Sequence, residues 1–178
     1  VQTDFMPFDP TVKRTEGTCK EKGGAAFKTT KGAPHILLEL VKDHKITEKV
    51  LNDVEDLGKR GIRCIAIAKT NAKGTWKMLG LLTFLDPPRH DTKDTIKNAK
   101  GFGLQVKMIT GDHVLIAQET SRQLQLGDNI YDSERLPLLD PITKKKPANL
   151  GRDYGDMCLV ADGFAQVFPE HKFLIVEA

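Results

Sequence analysis

Residues 79–89 read Leu79-Gly80-Leu81-Leu82-Thr83-Phe84-Leu85-Asp86-Pro87-Pro88-Arg89, an apolar run that stops at two adjacent prolines. Neither proline can donate to a sheet ladder or continue a helix, so a strand ends here and the chain goes on stiff and extended. The grammar differs on the two sides of this break. Upstream, Phe5 to Phe8, Thr15 to Lys20 and Ala25 to Thr30 are short strand-like runs interrupted by Pro, Gly-Gly and Lys-Gly. Ile62 to Lys69 and Trp76 to Leu85 are apolar enough for central strands. Downstream, a helix from Asp91 to about Lys100, a strand from Leu104 to Ile109 and a helix from Leu115 to Leu124 give the helix–strand–helix spacing of a parallel α/β sheet. The sequence therefore predicts two domains joined at a proline hinge.

Two upstream helices complete the first part. One covers Ala33 to Val41. The other runs from about Glu48 to Lys59, with Thr47 as N-cap, Ile46 and Leu51 as a hydrophobic staple, and Val50, Val54 and Leu57 on one buried face. In the second part, Ser133 to Met157, with Lys144-Lys145-Lys146, reads as a loop excursion, and a last helix follows Pro169.

The 178 residues are 39% hydrophobic and 29% charged, the balance of a folded globular chain rather than a disordered one. The net charge of +3 is small and the basic residues form no aromatic-interleaved stripe, which disfavours nucleic acid as a partner. Cys19, Cys64 and Cys158 are odd in number and widely spaced, against a disulfide scaffold or a zinc site and in keeping with a reducing compartment. The longest apolar run is too short to span a bilayer, and Val1-Gln2-Thr3-Asp4 opens without a methionine, so the chain reads as an excised fragment.

No phosphate loop of the G-x-x-x-x-G-K-[ST] type occurs, and Gly101-Phe102-Gly103 lacks the third glycine of a dinucleotide fingerprint. A nucleotide would have to be held by side chains. Thr110-Gly111-Asp112 follows a strand, where ligands gather in open α/β sheets, and offers a hydroxyl, a close backbone approach and a carboxylate; the same tripeptide is also an ordinary tight turn. Lys31-Gly32-Ala33-Pro34 leaves space beside the lysine stem for an aromatic ring, or is a solvated turn. Asp86-Pro87-Pro88-Arg89 is either a linker with an exposed ion pair or a rigid functional turn.

Taken in order and spacing, Lys31-Gly32-Ala33-Pro34, Asp86-Pro87-Pro88-Arg89 and Met108-Ile109-Thr110-Gly111-Asp112 resemble the P-type ATPases. Pro7-Phe8-Asp9-Pro10 with Lys13-Arg14-Thr15, Pro87-Pro88-Arg89-His90-Asp91-Thr92, Asn129-Ile130-Tyr131, and Ala161-Asp162-Gly163-Phe164-Ala165 with Val167-Phe168-Pro169-Glu170-His171-Lys172 look more narrowly like the plasma-membrane proton pumps.

The resemblance implies an α/β fold. An antiparallel-sheet nucleotide-binding domain (1–85, truncated at its N-terminus) would be joined by a hinge (86–89) to an incomplete haloacid-dehalogenase-like parallel α/β phosphorylation domain (90–178). It also implies roles. Phe8 would stack on adenine, with Lys13 and Lys31 lining the pocket beside Gly32. Arg63 would reach the phosphates, while Asp86 and Arg89 would form the hinge and face the nucleotide. Thr110 would hold the transferred phosphoryl group, flanked by Gly111 and Asp112, and Lys172 would neutralise its charge. The cofactors implied are ATP and, in the parent, Mg2+, with no metal ligand in these residues. The partners implied are ATP or ADP and the membrane and actuator domains of a plasma-membrane pump, with the fragment itself monomeric.

The family's Asp-Lys-Thr-Gly-Thr acceptor string and its Gly-Asp-Gly-x-Asn-Asp magnesium motif do not occur in the 178 residues, so the fragment is expected to bind nucleotide without hydrolysing it. Three alternatives stay open at this point: a stand-alone ATP-binding regulatory or interaction module, a pump for another cation, and a small phosphatase. The phosphatase is disfavoured by the absence of a D-x-D motif.

Overall fold

The computed structural model describes residues 1–9 and 11–178; Pro10, the end of the Pro7-Phe8-Asp9-Pro10 string, lies outside the described residues. The fold is α/β, an antiparallel five-stranded sheet with helices and a small three-stranded parallel sheet. The chain divides into two compact units, Val1–Leu57 with Ile62–Leu85, and Gly58–Gly61 with Asp86–Ala178.

In the first unit β1 (Gln2–Asp9), β2 (Arg14–Lys20), β3 (Ala26–Gly32), β4 (Arg63–Thr70) and β5 (Trp76–Phe84) follow one another in space as in sequence, every neighbouring pair antiparallel. Successive side chains alternate between faces, so the register assigns each residue to one of two surfaces. On one, Ala66 and Ala68 of β4 and Met78 and Leu81 of β5 pack under Leu37 of α1 (Pro34–Val41), which is completely buried. Burying a leucine this fully is worth about 1.5–3 kcal/mol. Pro34 starts α1 where a missing N–H costs nothing.

Several expectations are corrected here. α2 spans His44–Lys59 and starts four residues before Glu48. The Asp43 carboxylate accepts the Lys45 N–H at 3.0 Å, whereas the Thr47 hydroxyl donates back to the Asp43 carbonyl from inside the helix. With the start moved, Ile46 and Leu51 no longer occupy staple positions, and Leu51 is exposed. β5 is an edge strand rather than a central one, its apolar run surviving because one side packs under α1 while Leu79, Leu82 and Phe84 stay exposed.

The second unit holds α3 (Thr92–Gly101), β6 (Met108–Ile109), α4 (Val114–Leu124), β7 (Ile130–Asp132), α5 (Leu150–Val160), β8 (Gly163–Ala165) and α6 (Pro169–Glu177). The sheet order is β6-β8-β7, all parallel. Central β8 is buried throughout, with Phe164 wholly enclosed by Leu136, Cys158, Ala161 and Val167. The Tyr131 ring lies 6.1 Å from that of Phe164.

The strand expected from Leu104 shrinks to two residues, because Gly103 turns the chain at φ 81° and leaves Leu104 in solvent. The expected loop from Ser133 to Met157 contains most of α5, whose Gly151 and Gly155 disguised it. A Cβ on either glycine would sit 3.2 Å from the Ala178 carbonyl, so both are small where α5 meets the end of α6. Asp91 occupies the N-cap position of α3 but its side chain makes no cap; its backbone is already helical and its carboxylate faces Arg89 at 3.8 Å.

Two lysines and an aspartate tie the loops down. Lys100 Nζ donates to the carbonyls of Gln125 and Leu126 beyond α4, and Lys107 Nζ to those of Leu159 and Ala161 at the end of α5. Both place a cation where a helix leaves its last carbonyls unpaired. The Asp162 carboxylate accepts the Asn129 N–H, and a Cβ on Gly127, at φ 144°, would fall on that carboxylate.

Candidate functional site

In the first unit the sheet surface opposite α1 carries the groups of interest. β1 and β2 pair Met6 with Glu16 and Asp9 with Arg14. Two residues, Pro7 and Phe8, therefore oppose the single Thr15. This is a β-bulge, and Pro7, with no N–H to offer a ladder, suits it. Thr15 in turn pairs with Lys31 and Lys31 with Ile67. Phe8, Thr15, Lys31 and Ile67 thus share one face.

Gly17 and Thr29 continue that face one pair further along. A Cβ at Gly17 would have Thr29 Oγ1 at 3.7 Å and the Phe5 ring at 4.0 Å, which places the Phe5 ring on the same side. The result is a trough over β2. Its floor is small (Thr15, Gly17, Thr29), one wall is aromatic (Phe5 and Phe8, 52% and 62% exposed), and Lys31 rises opposite. Strands two apart are about 9.5 Å from each other, room enough for a flat ring to enter between the walls. Phe5, Thr15, Gly17 and Thr29 were missed in the sequence; the alternation of small residues along Thr15-Glu16-Gly17 was the signal.

The other expected residues of this unit occupy different places. Lys13, at φ 54°, closes the β1–β2 turn, its N–H donating to the Asp9 carbonyl at 2.7 Å. The backbone N–H groups of Thr11 and then Val12 hold the Asp9 carboxyl below the usual range and fix the same turn. Gly32 faces the α1 side, away from Lys31, and a Cβ on it would lie 2.5 Å from the Lys13 carbonyl oxygen and 2.6 Å from Arg14 Cβ. Its smallness lets this corner close. Arg63 is exposed at the start of β4, paired with Phe84 and on the face of Lys31.

Beneath the corner, on the α1 side, Arg14 and Lys28 reach Glu16 at 2.5 and 2.8 Å. Partial burial pushes the Glu16 carboxyl up, and Lys28 and Arg14 together bring it below the ordinary value.

In the second unit the carboxyl ends of the parallel strands gather another set. Thr110 directly follows β6, and its N–H donates to the Phe164 carbonyl at 2.9 Å. Its hydroxyl accepts the Asp112 N–H at 3.1 Å, folding Thr110-Gly111-Asp112 into a compact turn. The chain leaving β8 is stitched to that turn: Val167 N–H donates to the Thr110 carbonyl and Gln166 N–H to the Asp112 carbonyl. Gln166 sits at φ 56°, a conformation an L-residue adopts only when held there. α6 starts immediately afterwards, so its first turn, with Lys172 exposed, lies at the end of the sheet that carries Thr110. Asp86 and Arg89 are exposed where the second unit begins. Among the described residues no group of three or more His, Cys, Asp and Glu side chains could hold a metal ion, and no helix is long and apolar enough to cross a membrane.

No family model matches the chain. Individual proteins do. Probable proton ATPase 1A of Leishmania donovani is 52% identical over 178 residues, 99% of this chain and 18% of the relative. The Plasma membrane ATPase of Neurospora crassa is 43% identical over 97% of this chain and 19% of its own length. Plasma membrane ATPase 2 of Saccharomyces cerevisiae is 42% identical over 98% of this chain and 18% of its own. The chain thus spans about a fifth of the length of the curated relatives it matches.

Proposed function

We infer, from the premise that this chain belongs to the P-type proton ATPases it matches along nearly its whole length, that it is the ATP-binding cytoplasmic region of a plasma-membrane proton pump. Residues 1–85 act as nucleotide-binding domain, 86–89 as hinge, and 90–178 as part of a haloacid-dehalogenase-like phosphorylation domain. Adenine enters the trough over β2, stacking on Phe8 and resting against the Lys31 stem, with Lys13 at the rim. Arg63 shares the face of Lys31 and supplies a planar fork of donors suited to phosphate oxygens. Gly32 contributes by letting the corner close. Asp86 and Arg89 face the phosphates.

In the second unit Thr110, with Gly111 and Asp112, and Lys172 serve the phosphoryl group carried by the parent's aspartate. Phosphoryl transfer depends chiefly on positioning and charge neutralisation, which hydroxyl, backbone and ammonium groups supply. Among the described residues no group of three or more His, Cys, Asp and Glu side chains is placed to hold magnesium. These 178 residues by themselves bind nucleotide without turning it over.

The observation that carries this reading is the shared face of Phe8 and Lys31 across a floor of small side chains. It is tested by displacing a fluorescent ATP analogue with ATP: Lys31→Ala weakens the competition several-fold, and an unchanged displacement curve would remove Lys31 from the site.

A further inference from the structure

His171 lies in the first turn of α6, one residue before Lys172. It is 3% exposed, and the only buried side-chain polar atom without a hydrogen-bond partner among the described residues is its Nε2. Its other ring nitrogen is engaged. The Phe168 N–H donates to His171 Nδ1 at 3.2 Å, and the two rings lie 5.7 Å apart. A nitrogen that accepts carries no proton, so the neutral imidazole holds its proton on Nε2, where nothing receives it.

This is an uncomfortable arrangement for a buried donor, and its benefit is local. Phe168 is the N-cap residue of α6, and position N3 reaching back to the N-cap N–H is half of a capping box, a task usually given to Glu or Gln. The segment entering the cap is already clamped. Gln166 and Val167 are bonded to the carbonyls of Asp112 and Thr110, with Gln166 held in the left-handed region. His171 therefore closes the last free peptide between the Thr110-Gly111-Asp112 turn and the helix. His171 and Leu174, three residues apart, form the buried side of α6, and Lys172, one helical step round, is turned to solvent.

We propose that His171 is a positioning residue: by accepting the Phe168 N–H it fixes the first turn of α6 relative to Thr110 and so sets where the Lys172 ammonium stands. This rests on the proposed role of Lys172 and adds to it a residue that never touches the phosphoryl group. The helix itself does not need the imidazole, since Pro169 at its first position and Leu174 at its core hold it. What the imidazole adds is the precision of one turn.

The test uses the full-length pump containing these residues, with steady-state ATP hydrolysis and phosphoenzyme formation from γ-labelled ATP as readouts. His171→Phe keeps an aromatic ring at the buried position but loses the acceptor of the Phe168 N–H, and its melting curve is compared with the parent's before turnover is read. Its kcat and phosphoenzyme rate fall between about tenfold and a hundredfold, the scale of a small misplacement of a reacting group, while KM for ATP changes less than about twofold because adenine is held in the other unit. His171→Gln restores an acceptor at N3 and recovers turnover to within about threefold. Lys172→Ala is the control, losing turnover at least as severely. Normal turnover in His171→Phe, or failure of His171→Gln to recover it, overturns the positioning role while leaving Lys172 in place. Normal turnover in Lys172→Ala removes the reading on which the proposal rests.

Discussion

Gly32→Ala overpacks the β1–β2 corner directly. A methyl group at this position would lie 2.5 Å from the Lys13 carbonyl oxygen, 2.6 Å from Arg14 Cβ and 2.8 Å from Arg14 Cα. All three belong to backbone or the root of a side chain, so no rotamer change relieves them. The β1–β2 corner must move by roughly an ångström, which strains the Ala33 N–H bond to Lys13 and the Arg14–Glu16 contact beside it. Overpacking of this kind costs about 1–3 kcal/mol, and in a chain of this size that lowers the melting temperature by roughly 4–8 °C for a mid-range 2 kcal/mol. Urea unfolding followed at Trp76 reads the loss in the first unit. Lys31→Ala, an exposed neighbour, shifts the same curve by less than about 0.5 kcal/mol. A Gly32→Ala protein as stable as the parent would show that the corner has slack, and would return Gly32 to the residues valued for contact with a ligand.

The half-buried Glu119 carboxyl is held down to about 2 by hydrogen bonds from Arg122 and then Gln123. Because its folded value is depressed, its contribution to stability is present above the unfolded carboxyl range near 4.5 and disappears as pH falls through 2. Arg122→Ala therefore destabilises modestly at pH 7 and matches the parent only once the pH is below 2; a difference that persists there would assign the effect to packing. Incubation of the 178-residue chain with γ-labelled ATP leaves no covalent label, and a labelled acyl phosphate would locate an acceptor carboxylate that the motifs do not reveal.

Much of the architecture was legible because it is local. β2, β3, β4, α1, α3 and α4 follow from alternation, periodicity and turn residues close to where they occur. What escaped depends on distant partners. α5 hid behind Gly151 and Gly155, whose size answers to the end of α6 rather than to their own helix. β5 read as central because an apolar run does not tell whether another strand lies beyond it. Thr47 and Asp43 are both residue types that cap helices, and only the backbone path decides that the Asp43 carboxylate takes the role.

The candidate site was legible as residue types but not as geometry. Motifs singled out Phe8 and Lys31, yet with an unbroken β1–β2 register Phe8 would oppose Arg14 and point to the α1 side. The single extra residue at Pro7-Phe8 turns it to the face of Lys31, and nothing in local composition announces a bulge of one residue. His171 was visible only as part of a motif, because its burial and its bond to Phe168 require the folded turn.

The measurement that bears most directly on the central claim is a two-dimensional amide NMR titration of the chain with ATP, at concentrations bracketing a dissociation constant of about 1 mM, or 4 kcal/mol. Binding in the trough shifts Phe5, Phe8, Thr15, Gly17 and Lys31 together and leaves Ala66, Ala68 and Leu37 on the opposite side of the sheet in place. Shifts confined to the α1 side, or none in Phe8 and Lys31 at saturating nucleotide, would contradict the account.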